Sequence, residues 1–387
     1  MRPVSEPLVA RMRPYGETIF TTMSALALEH DAINLGQGFP DTDGPEAVLD
    51  AARRAITDGH NQYPPSRGIP ALRSAIADHQ RSRYGIELDP GSEVLVTSGA
   101  SEAIASTLLA LVEPGDEVVT FEPYFDSYAA GISLAGGVRR TAPLTFPDFG
   151  FDRDRLVSAF SERTKVVLLN TPHNPLGKVF SRDELTVIAD LAREHDAWVI
   201  SDEVYEHMTY DGAEHIPIAT LPGMAERTLT IGSAGKAFSV TGWKVGWISG
   251  PAPLVRAVAT VKQYLTFTTA APLQHAVAEA LRLGPGVLDD LTASLSSRRN
   301  LLVDGLTAAG LKVAVPQGTY FVVADVAPLG VTDAVPWCLD LPRSIGVVGV
   351  PVSVFCDSPE ESATLVRFAF CKHEDTLREA CRRLAAI

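Results

Sequence analysis

A lysine in a turn of small residues is the strongest chemical feature of this sequence. Lys236 ends the segment Gly232-Ser233-Ala234-Gly235-Lys236, which follows a predicted strand at residues 228–231. An ordinary lysine has a pKa of about 10.4 and is a poor nucleophile at neutral pH. In a partly apolar crevice beside a second cation, the same amine forms imines with carbonyl compounds. Lys244 is a candidate for that cation or for binding an anion, and the alternative is that both lysines are solvated surface residues.

A second turn of small residues forms a candidate anion site. Ser98-Gly99-Ala100-Ser101 follows the predicted strand 93–97 and opens the predicted helix 101–111. Backbone N–H groups at a helix N-terminus bind anions, and small residues allow close approach. Ala100 and Ser101 are therefore candidates for holding a phosphate, together with the Ser233 hydroxyl. The alternative is an ordinary helix cap at Ser101.

Three further turns carry residues that suit a flat, protonated ring. Asp202 follows the predicted strand 197–201, where a carboxylate could hold a ring N–H, and Tyr205 could donate to a ring oxygen. Asn174 could reach the same oxygen, and Phe125 offers a face for stacking. The alternatives are an acidic helix cap, a generic Asn-Pro turn and a core aromatic.

Arg367 interrupts the apolar run Leu365-Val366-Arg367-Phe368-Ala369-Phe370. A buried guanidinium is costly unless it is paired or faces a cleft, and its planar fork suits a carboxylate. Arg367 is therefore either a carboxylate-binding residue or a solvent-facing strand position.

The elements that must position these residues alternate between residues 90 and 255. Short β-branched runs (93–97, 117–121, 165–170, 197–201, 228–231 and 245–249) are separated by helical patterns such as 101–111 and 182–195. This alternation favours a mostly parallel sheet covered by helices on both faces. Ligands bind beyond the carboxyl ends of such strands. The polar turns that begin at residues 98, 122, 171, 202 and 232 are therefore expected to converge on one crevice.

The pattern changes after the large α/β region. A long polar helix at 287–309 precedes predicted strands at 312–315, 319–325, 347–355 and 365–371 and a final helix. We therefore predict an N-terminal arm and part of a small domain at 1–40, a large domain at 41–285 and a small α+β domain at 286–387.

Composition restricts the partners and the compartment. With 47 acidic and 33 basic residues the net charge is −14, which argues against nucleic acid or an anionic membrane as a partner. The four cysteines show no metal-ligand spacing and no disulfide framework, and no leader or membrane-spanning run is apparent. These observations predict a cytoplasmic enzyme without a metal site.

The ordered motifs resemble the class I/II aminotransferases of pyridoxal phosphate (PLP) fold type I over nearly the whole chain. Within that family, the stretches NLGQGFPD, NQYPPSRGIPALR and TPHNPLGKV are similar to kynurenine/glutamine aminotransferases and bacterial N-succinyldiaminopimelate aminotransferases. The resemblance implies a large domain with a mostly parallel, seven-stranded-type sheet and a smaller α+β domain. The motifs that carry it are Gly36-Gln37-Gly38, Asn61-Gln62-Tyr63, Ser98-Gly99-Ala100-Ser101, Asn174-Pro175, Asp202-Glu203-Val204-Tyr205, Ser233-Ala234-Gly235-Lys236, Lys244 and Arg367.

The same resemblance implies a role for each matched residue. Lys236 would hold pyridoxal 5′-phosphate as a Schiff base, with Asp202 on its ring nitrogen. Tyr63 would reach the phosphate from the partner subunit of a homodimer. The further implied contacts are Asn174 and Tyr205 on the ring oxygen, Phe125 on the ring face, Gly99, Ala100, Ser101, Ser233 and Lys244 on the phosphate, and Gly36, Asn174 and Arg367 on the substrate carboxylate.

The implied reaction is transfer of an amino group from an α-amino acid to a 2-oxo acid, with N-succinyldiaminopimelate, glutamine, methionine or an aromatic amino acid as possible donors. Elimination, replacement or lyase chemistry on the same scaffold is the alternative. Arg67 is a hypothetical partner for a distal carboxylate, and His173 has no assigned role. A candidate set for the side-chain pocket is Tyr15, Phe20, Gly36, Tyr124, Tyr128, Tyr264 and Phe267.

Overall fold

A computed structural model describes residues 7–387 of the chain. The N-terminal start Met1–Glu6, where we expect no leader, lies outside the described residues. The helices are α1 (Ile19–Glu29), α2 (Glu46–Thr57), α3 (Pro70–Tyr84), α4 (Gly99–Leu111), α5 (Asp126–Ala135), α6 (Arg153–Ser158), α7 (Arg182–Glu194), α8 (Ala234–Ala237), α9 (Ala252–Lys262), α10 (Ala271–Ala280), α11 (Pro285–Ala308), α12 (Ala334–Ser344) and α13 (Glu374–Leu384).

The strands form one large sheet and two smaller ones. The large sheet has the order β2-β9-β8-β7-β6-β3-β4-β5, and β5 adds only two residues at its edge. The strands are β1 (Ile33–Asn34), β2 (Val94–Thr97), β3 (Glu117–Glu122), β4 (Val138–Thr145), β5 (Gly150–Phe151), β6 (Thr164–Asn170), β7 (Trp198–Asp202), β8 (Thr228–Ser233), β9 (Gly246–Ser249), β10 (Lys312–Ala314), β11 (Phe321–Asp325), β12 (Val347–Val348), β13 (Val350–Pro351) and β14 (Leu365–Ala369).

The large sheet is mostly parallel, as the alternating pattern predicted. The pairs β3·β4, β3·β6, β6·β7 and β7·β8 are parallel, whereas β9 runs antiparallel to both β2 and β8. The predicted strands of this region each match an observed strand to within two residues. Their continuous apolar runs are buried because helices cover both faces of the sheet. The strand β4, next to the edge strand β5, was not predicted, since its exposure alternates along its length.

The C-terminal part forms a four-stranded antiparallel sheet in the order β10-β11-β14-β13. The long helix α11 and the final helix α13 pack together beside it. The N-terminal segment joins this part through β1, whose Ile33 pairs with Val347 of β12. The domain boundaries at residues 40 and 285 stay predictions.

One predicted strand is wrong. Residues 347–355 do not form one strand, because Gly349 interrupts the run and Val352–Phe355 form a 3₁₀ turn. A Cβ at position 349 would lie 2.7 Å from the Phe368 ring, so the chain can approach β14 there only with glycine.

The helices of the described chain were also compared with the length and hydropathy that a bilayer span requires. Among residues 7–387, none is long and apolar enough to cross a membrane.

Candidate active site

The polar turns after five strands of the large sheet open onto one cleft with about 1050 Å³ of empty space. This convergence matches the prediction from the strand ends, and it has the same physical cause: parallel strands present their carboxyl ends at one edge. The lining includes Phe20, Gln37, Gly38, Phe39, Gly99, Ala100, Ser101, Ile104, Phe125, Tyr128, Asn170, Asn174, Asp202, Val204, Tyr205, Ser233, Gly235, Lys236, Thr241, Lys244, Phe321 and Arg367.

Lys236 lies at the centre of the cleft on the single turn α8. Its Nζ donates to the Tyr320 hydroxyl at 2.7 Å and lies 3.4 Å from the Gly38 carbonyl oxygen. Burial lowers the pKa of Lys236 to about 8, against the opposing attraction of Cys371 and Asp202. A larger fraction of this amine is therefore neutral at physiological pH than for an exposed lysine, which suits a nucleophile.

Asp202 ends β7, lines the cleft and is almost fully buried. Its Oδ2 accepts a hydrogen bond of 2.5 Å from the Tyr128 hydroxyl, and its Oδ1 lies 3.4 Å from the Val204 nitrogen. Burial raises the pKa of Asp202 to about 6, while the Tyr128 hydrogen bond acts in the opposite direction. A buried carboxylate of this kind favours a cationic N–H partner that would offset its desolvation.

The N-terminus of α4 also lines the cleft, through Gly99, Ala100 and Ser101. Ser98 is the N-cap residue and makes no side-chain cap hydrogen bond, so the predicted cap at Ser101 is not formed. Gly99 turns the strand into the helix with a φ of +74°, a conformation that favours glycine. The Lys244 Nζ lies 3.4 Å from the Ser101 hydroxyl. An ammonium and a helix N-terminus together make a site for a dianion such as phosphate.

Arg367 projects from β14 into the cleft and is 2% exposed. Its Nη1 donates to Asn174 Oδ1 at 2.9 Å and its Nη2 to the Gly36 carbonyl at 2.7 Å, whereas the buried Nε has no partner among the described residues. The guanidinium carbon lies 4.1 Å from the centre of the Phe321 ring. This arrangement fixes the planar fork and leaves donors free for an incoming carboxylate.

Of the residues that the sequence assigned to the cofactor or to the substrate carboxylate, all but Gly36 and Tyr63 line this cleft. Gly36 borders it only through its carbonyl on Arg367. Tyr63 is 85% exposed and outside the cleft of its own chain, where its ring meets Phe267 edge-on at 5.7 Å.

Of the candidate side-chain pocket, Phe20 and Tyr128 line the cleft of this chain, whereas Tyr15, Gly36, Tyr124, Tyr264 and Phe267 do not. The Tyr15 and Tyr124 hydroxyls donate to the Ala129 carbonyl and the Asp357 carboxylate, and Tyr264 is 83% exposed.

Arg67 and His173 also lie away from the cleft. The Arg67 guanidinium donates to the Ser92 carbonyl at 2.7 Å and does not line the cleft of its own chain, where a distal carboxylate would bind. His173 is buried, and burial together with Lys178 lowers its pKa to about 3.

Two residues with direct contacts to this machinery, Tyr320 and Asn170, were not predicted from the sequence, and a third, Tyr128, was predicted only as a member of the side-chain pocket. Tyr320 contacts Lys236, Tyr128 contacts Asp202, and Asn170 Oδ1 accepts from the Asn174 nitrogen at 2.7 Å. Asn170 ends β6 beside Asp202 and could have been found as another polar strand end. Tyr128 and Tyr320 carry no such signal, because each reaches its partner from a distant part of the chain.

The residues in the cleft fit pyridoxal 5′-phosphate by their chemistry. The uncapped helix end with Lys244 suits its phosphate, the buried Asp202 suits its ring nitrogen, and Lys236 suits its aldehyde. Phe125 and Tyr205 line the space between these groups.

Comparison with known proteins gave a family and full-length relatives. The family profile described as aminotransferase class I and II matches residues 30–384. The chain is 49% identical over 390 residues to a probable N-succinyldiaminopimelate aminotransferase of Mycobacterium tuberculosis, covering 98% of each chain. It is 40% identical to a methionine aminotransferase of Escherichia coli, covering 98% of this chain and 99% of that one.

Solved structures agree with these sequence matches. The N-succinyldiaminopimelate aminotransferase of Mycobacterium tuberculosis superposes with a TM-score of 0.96 at 50% identity, covering 98% of this chain and 99% of the other. An Escherichia coli protein described as having a methionine aminotransferase function superposes with a TM-score of 0.94 at 40% identity, covering 98% and 100%.

Proposed function

The chain belongs to the class I and II aminotransferase family and is a PLP-dependent aminotransferase, and from this premise we propose which residues bind the cofactor and the substrate and which amino donors the enzyme prefers. It transfers an amino group from an α-amino acid to a 2-oxo acid. We propose that the preferred donor has a neutral, apolar or aromatic side chain. The apolar wall beside Arg367 is the observation that supports this preference.

Lys236 is proposed to hold the cofactor and to move the proton at the substrate Cα. Its lowered pKa, about 8, supports both roles, since a neutral amine is needed to attack a carbonyl and to accept a proton. The bound cofactor supplies an electron sink for the charge that remains on Cα. Tyr320 lies 2.7 Å from the amine and is proposed to orient it when the substrate has displaced it.

The other cofactor contacts are proposed from the surroundings of each group. Asp202 would hold the ring nitrogen, and Tyr128 stabilises its ionised carboxylate through a 2.5 Å hydrogen bond. Tyr205 and Asn174 would bind the ring oxygen, and Phe125 would offer its face to the ring. Gly99, Ala100, Ser101, Ser233 and Lys244 would hold the phosphate.

Arg367 is proposed to bind the substrate α-carboxylate, with Asn174 and Gly36 fixing its orientation. Its Nη atoms are anchored on these two residues, and its Nε lacks a partner in the described chain. The anchoring reduces the rotamer entropy that a free arginine would lose on binding.

The donor preference follows from the side chains beside Arg367. The Phe20 and Phe355 rings lie 5.2 and 5.6 Å from its guanidinium carbon, and Phe39 lines the cleft nearby. Of the cleft-lining side chains in the described chain, the cationic ones are Lys236, Lys244 and Arg367, each of which has a proposed role. An acidic donor side chain would therefore lose hydration without gaining a charged partner from this chain.

N-succinyldiaminopimelate is a second candidate donor. The full-length 49% identity to an enzyme named for that activity supports it. Its distal carboxylates would need cationic partners beyond the cleft residues of one chain, because Arg67 donates to the Ser92 carbonyl.

A donor panel separates the two candidates. Methionine, phenylalanine, kynurenine, glutamine, aspartate and N-succinyldiaminopimelate are each assayed with 2-oxoglutarate and pyruvate as acceptors. We expect kcat/KM for methionine or an aromatic donor to exceed that for aspartate by about tenfold or more. A highest value for N-succinyldiaminopimelate would overturn the apolar preference and establish the second candidate. Pyruvate and ammonia released without an acceptor would indicate elimination, which the named relatives do not favour.

A matched pair of variants tests the proposed wall. Phe39→Ala removes a ring from the cleft and should lower kcat/KM for aromatic donors by about tenfold or more, with a smaller effect on alanine. Leu28→Ala removes a side chain that is 86% exposed and should leave both values unchanged. Equal losses for alanine and phenylalanine in Phe39→Ala would contradict the assignment.

We also propose that the enzyme is a cytoplasmic homodimer in which Tyr63 reaches the partner's phosphate site. Support comes from the exposed apolar side chains of Tyr63, Tyr264, Leu265 and Phe267, which are 85%, 83%, 49% and 45% exposed. The four unpaired cysteines suit a reducing compartment.

Mixed dimers test the contribution of Tyr63. Lys236→Ala chains and Tyr63→Ala chains should each be weakly active alone, but a mixed dimer would contain one site with both residues intact if Tyr63 acts across the interface. Recovery of activity on mixing supports the proposal. A sum of the two separate activities would refute it.

A further inference from the structure

A buried group of two histidines and a glutamate lies outside the cleft. His79 is on α3, whereas Glu206 and His207 follow β7 in the loop that also carries Tyr205. We call these three residues the histidine–glutamate cluster. Their side chains are 9%, 5% and 4% exposed.

The distances within the cluster are longer than hydrogen bonds. Glu206 Oε2 lies 3.7 Å from His79 Nε2, and Glu206 Oε1 lies 3.6 Å from His207 Nε2. One ligand atom from each residue lies within 4.8 Å of the other two. Zinc–nitrogen and zinc–oxygen bonds of about 2.0–2.2 Å place tetrahedral ligands roughly 3.3–3.6 Å apart. The cluster is therefore close to the size that one ion requires.

Several polar atoms of the cluster have no partner. His79 Nε2 and Glu206 Oε2 are fully buried and make no hydrogen bond within residues 7–387, and the nearby Tyr84 hydroxyl is in the same condition. Leaving a buried polar group unsatisfied costs about 1–3 kcal/mol, and more when the group is charged. A shared cation would satisfy the Glu206 carboxylate and the Nε2 atom of each histidine, while the buried His207 Nδ1 also has no partner among residues 7–387.

The charges around the cluster allow a cation. The cluster contains one carboxylate, Glu206, whose oxygens face the two imidazoles at 3.7 and 3.6 Å. Glu203 is paired with His215 at 2.8 Å, and Arg83 is the opposing positive charge nearby.

An ion also has a route to the cluster. His79 lines a surface depression together with Asp78, Arg83 and residues of the α10–α11 connection. A water molecule from this depression can complete the tetrahedral set that three protein ligands leave open.

We propose that His79, Glu206 and His207 bind one divalent cation of the zinc class. Two imidazoles and a carboxylate are a ligand set that zinc accepts in proteins. The ion would tie α3 to the loop that presents Asp202 and Tyr205, so its role is structural. This inference does not depend on the choice of amino donor.

The first test is zinc stoichiometry. The holoenzyme is stripped with a chelator, equilibrated with zinc chloride, passed through a desalting column and analysed for metal. We expect about one zinc per chain for the wild type and less than about a tenth for His79→Ala and His207→Ala. The control His373→Ala removes an exposed histidine and should retain the wild-type content.

Cobalt distinguishes a tetrahedral protein site from non-specific binding at the surface, because its visible spectrum depends on the coordination geometry. Co²⁺ in the stripped enzyme should produce tetrahedral visible bands, and His79→Gln, which keeps the side-chain volume, should abolish them while the cofactor absorbance and circular dichroism stay unchanged. Wild-type protein without bound zinc, or equal zinc content in the wild type and both histidine variants, would overturn the proposal.

Discussion

Removal of the Tyr128 hydroxyl tests how the protein keeps Asp202 ionised. In Tyr128→Phe the carboxylate loses its 2.5 Å hydrogen bond and keeps only the Val204 nitrogen at 3.4 Å. Both Asp202 and Tyr128 are buried, so water does not replace the lost donor. We expect the pKa of Asp202 to rise from its value of about 6, because the ionised form loses stabilisation that the neutral acid needs less.

The size of the effect follows from the energy of the bond. A hydrogen bond to a charged group contributes about 1.5–3 kcal/mol, which moves the acid limb of the pH profile up by about one to two pH units. At pH 7 the ionised fraction of Asp202 then falls about two- to tenfold, and the effect shrinks toward pH 9. Asp202 loses its ionised form as the pH falls. Because the variant has the higher carboxyl pKa, it loses the ionised form at a higher pH than the wild type.

The assay is the affinity of the apoenzyme for pyridoxal 5′-phosphate between pH 5.5 and 9, followed by absorbance. Ionisation of the cofactor itself is common to both proteins and cancels in the ratio of their dissociation constants. Tyr210→Phe is the matched control, since its buried hydroxyl donates to the Thr319 carbonyl at 2.5 Å and not to Asp202. An acid limb that coincides with that of the wild type would refute the role of Tyr128.

Three further variants test the carboxylate site, the phosphate turn and the core. Arg367→Lys replaces an anchored fork with a point charge and should lower kcat/KM for every donor roughly 30- to 150-fold, or about 2–3 kcal/mol; unchanged steady-state kinetics would contradict this. Gly99→Ala strains a φ of +74° and brings a Cβ to 3.2 Å from Lys244 Nζ, so cofactor affinity should fall about tenfold in an equilibrium titration. Leu302→Ala empties a fully buried position and should lower the free energy of unfolding in urea by about 2–5 kcal/mol, and a loss below about 1 kcal/mol would show that the core collapses around it.

The strands of the large sheet were predictable because their signal is local. Residues 117–121 and 165–170 are continuous β-branched and apolar runs, and the observed strands Glu117–Glu122 and Thr164–Asn170 extend them by one residue each. The same local signal fails where glycine breaks an apolar run, as in residues 347–355. An apolar run thus predicts that a segment is extended. It does not predict whether the strand continues past Gly349, where the chain lies close to Phe368.

The candidate residues were predictable where they end a strand. The chain returns each parallel strand to the same edge of the sheet, so Ser101, Asn174, Asp202 and Lys236 meet although up to 135 residues separate them. Arg367 was recognised as a charge in an apolar strand, but the sequence left its direction open between solvent and cleft. In the structure Arg367 is 2% exposed and its guanidinium donates to Asn174 and to the Gly36 carbonyl, so the side chain faces the cleft and not the solvent.

The sequence by itself determined the chemical character of the cleft, because residue type and strand-end position are properties of a short segment. Only the tertiary structure decided which groups tune that chemistry. Tyr128 reaches Asp202 across 74 residues and Tyr320 reaches Lys236 across 84, while His79 on α3 lies 3.7 Å from Glu206 in the loop after β7. The sequence showed no metal spacing, since spacing along the chain records ligands from one segment only. Contacts between distant segments are set by how helices pack on the sheet, and local periodicity carries no record of that packing.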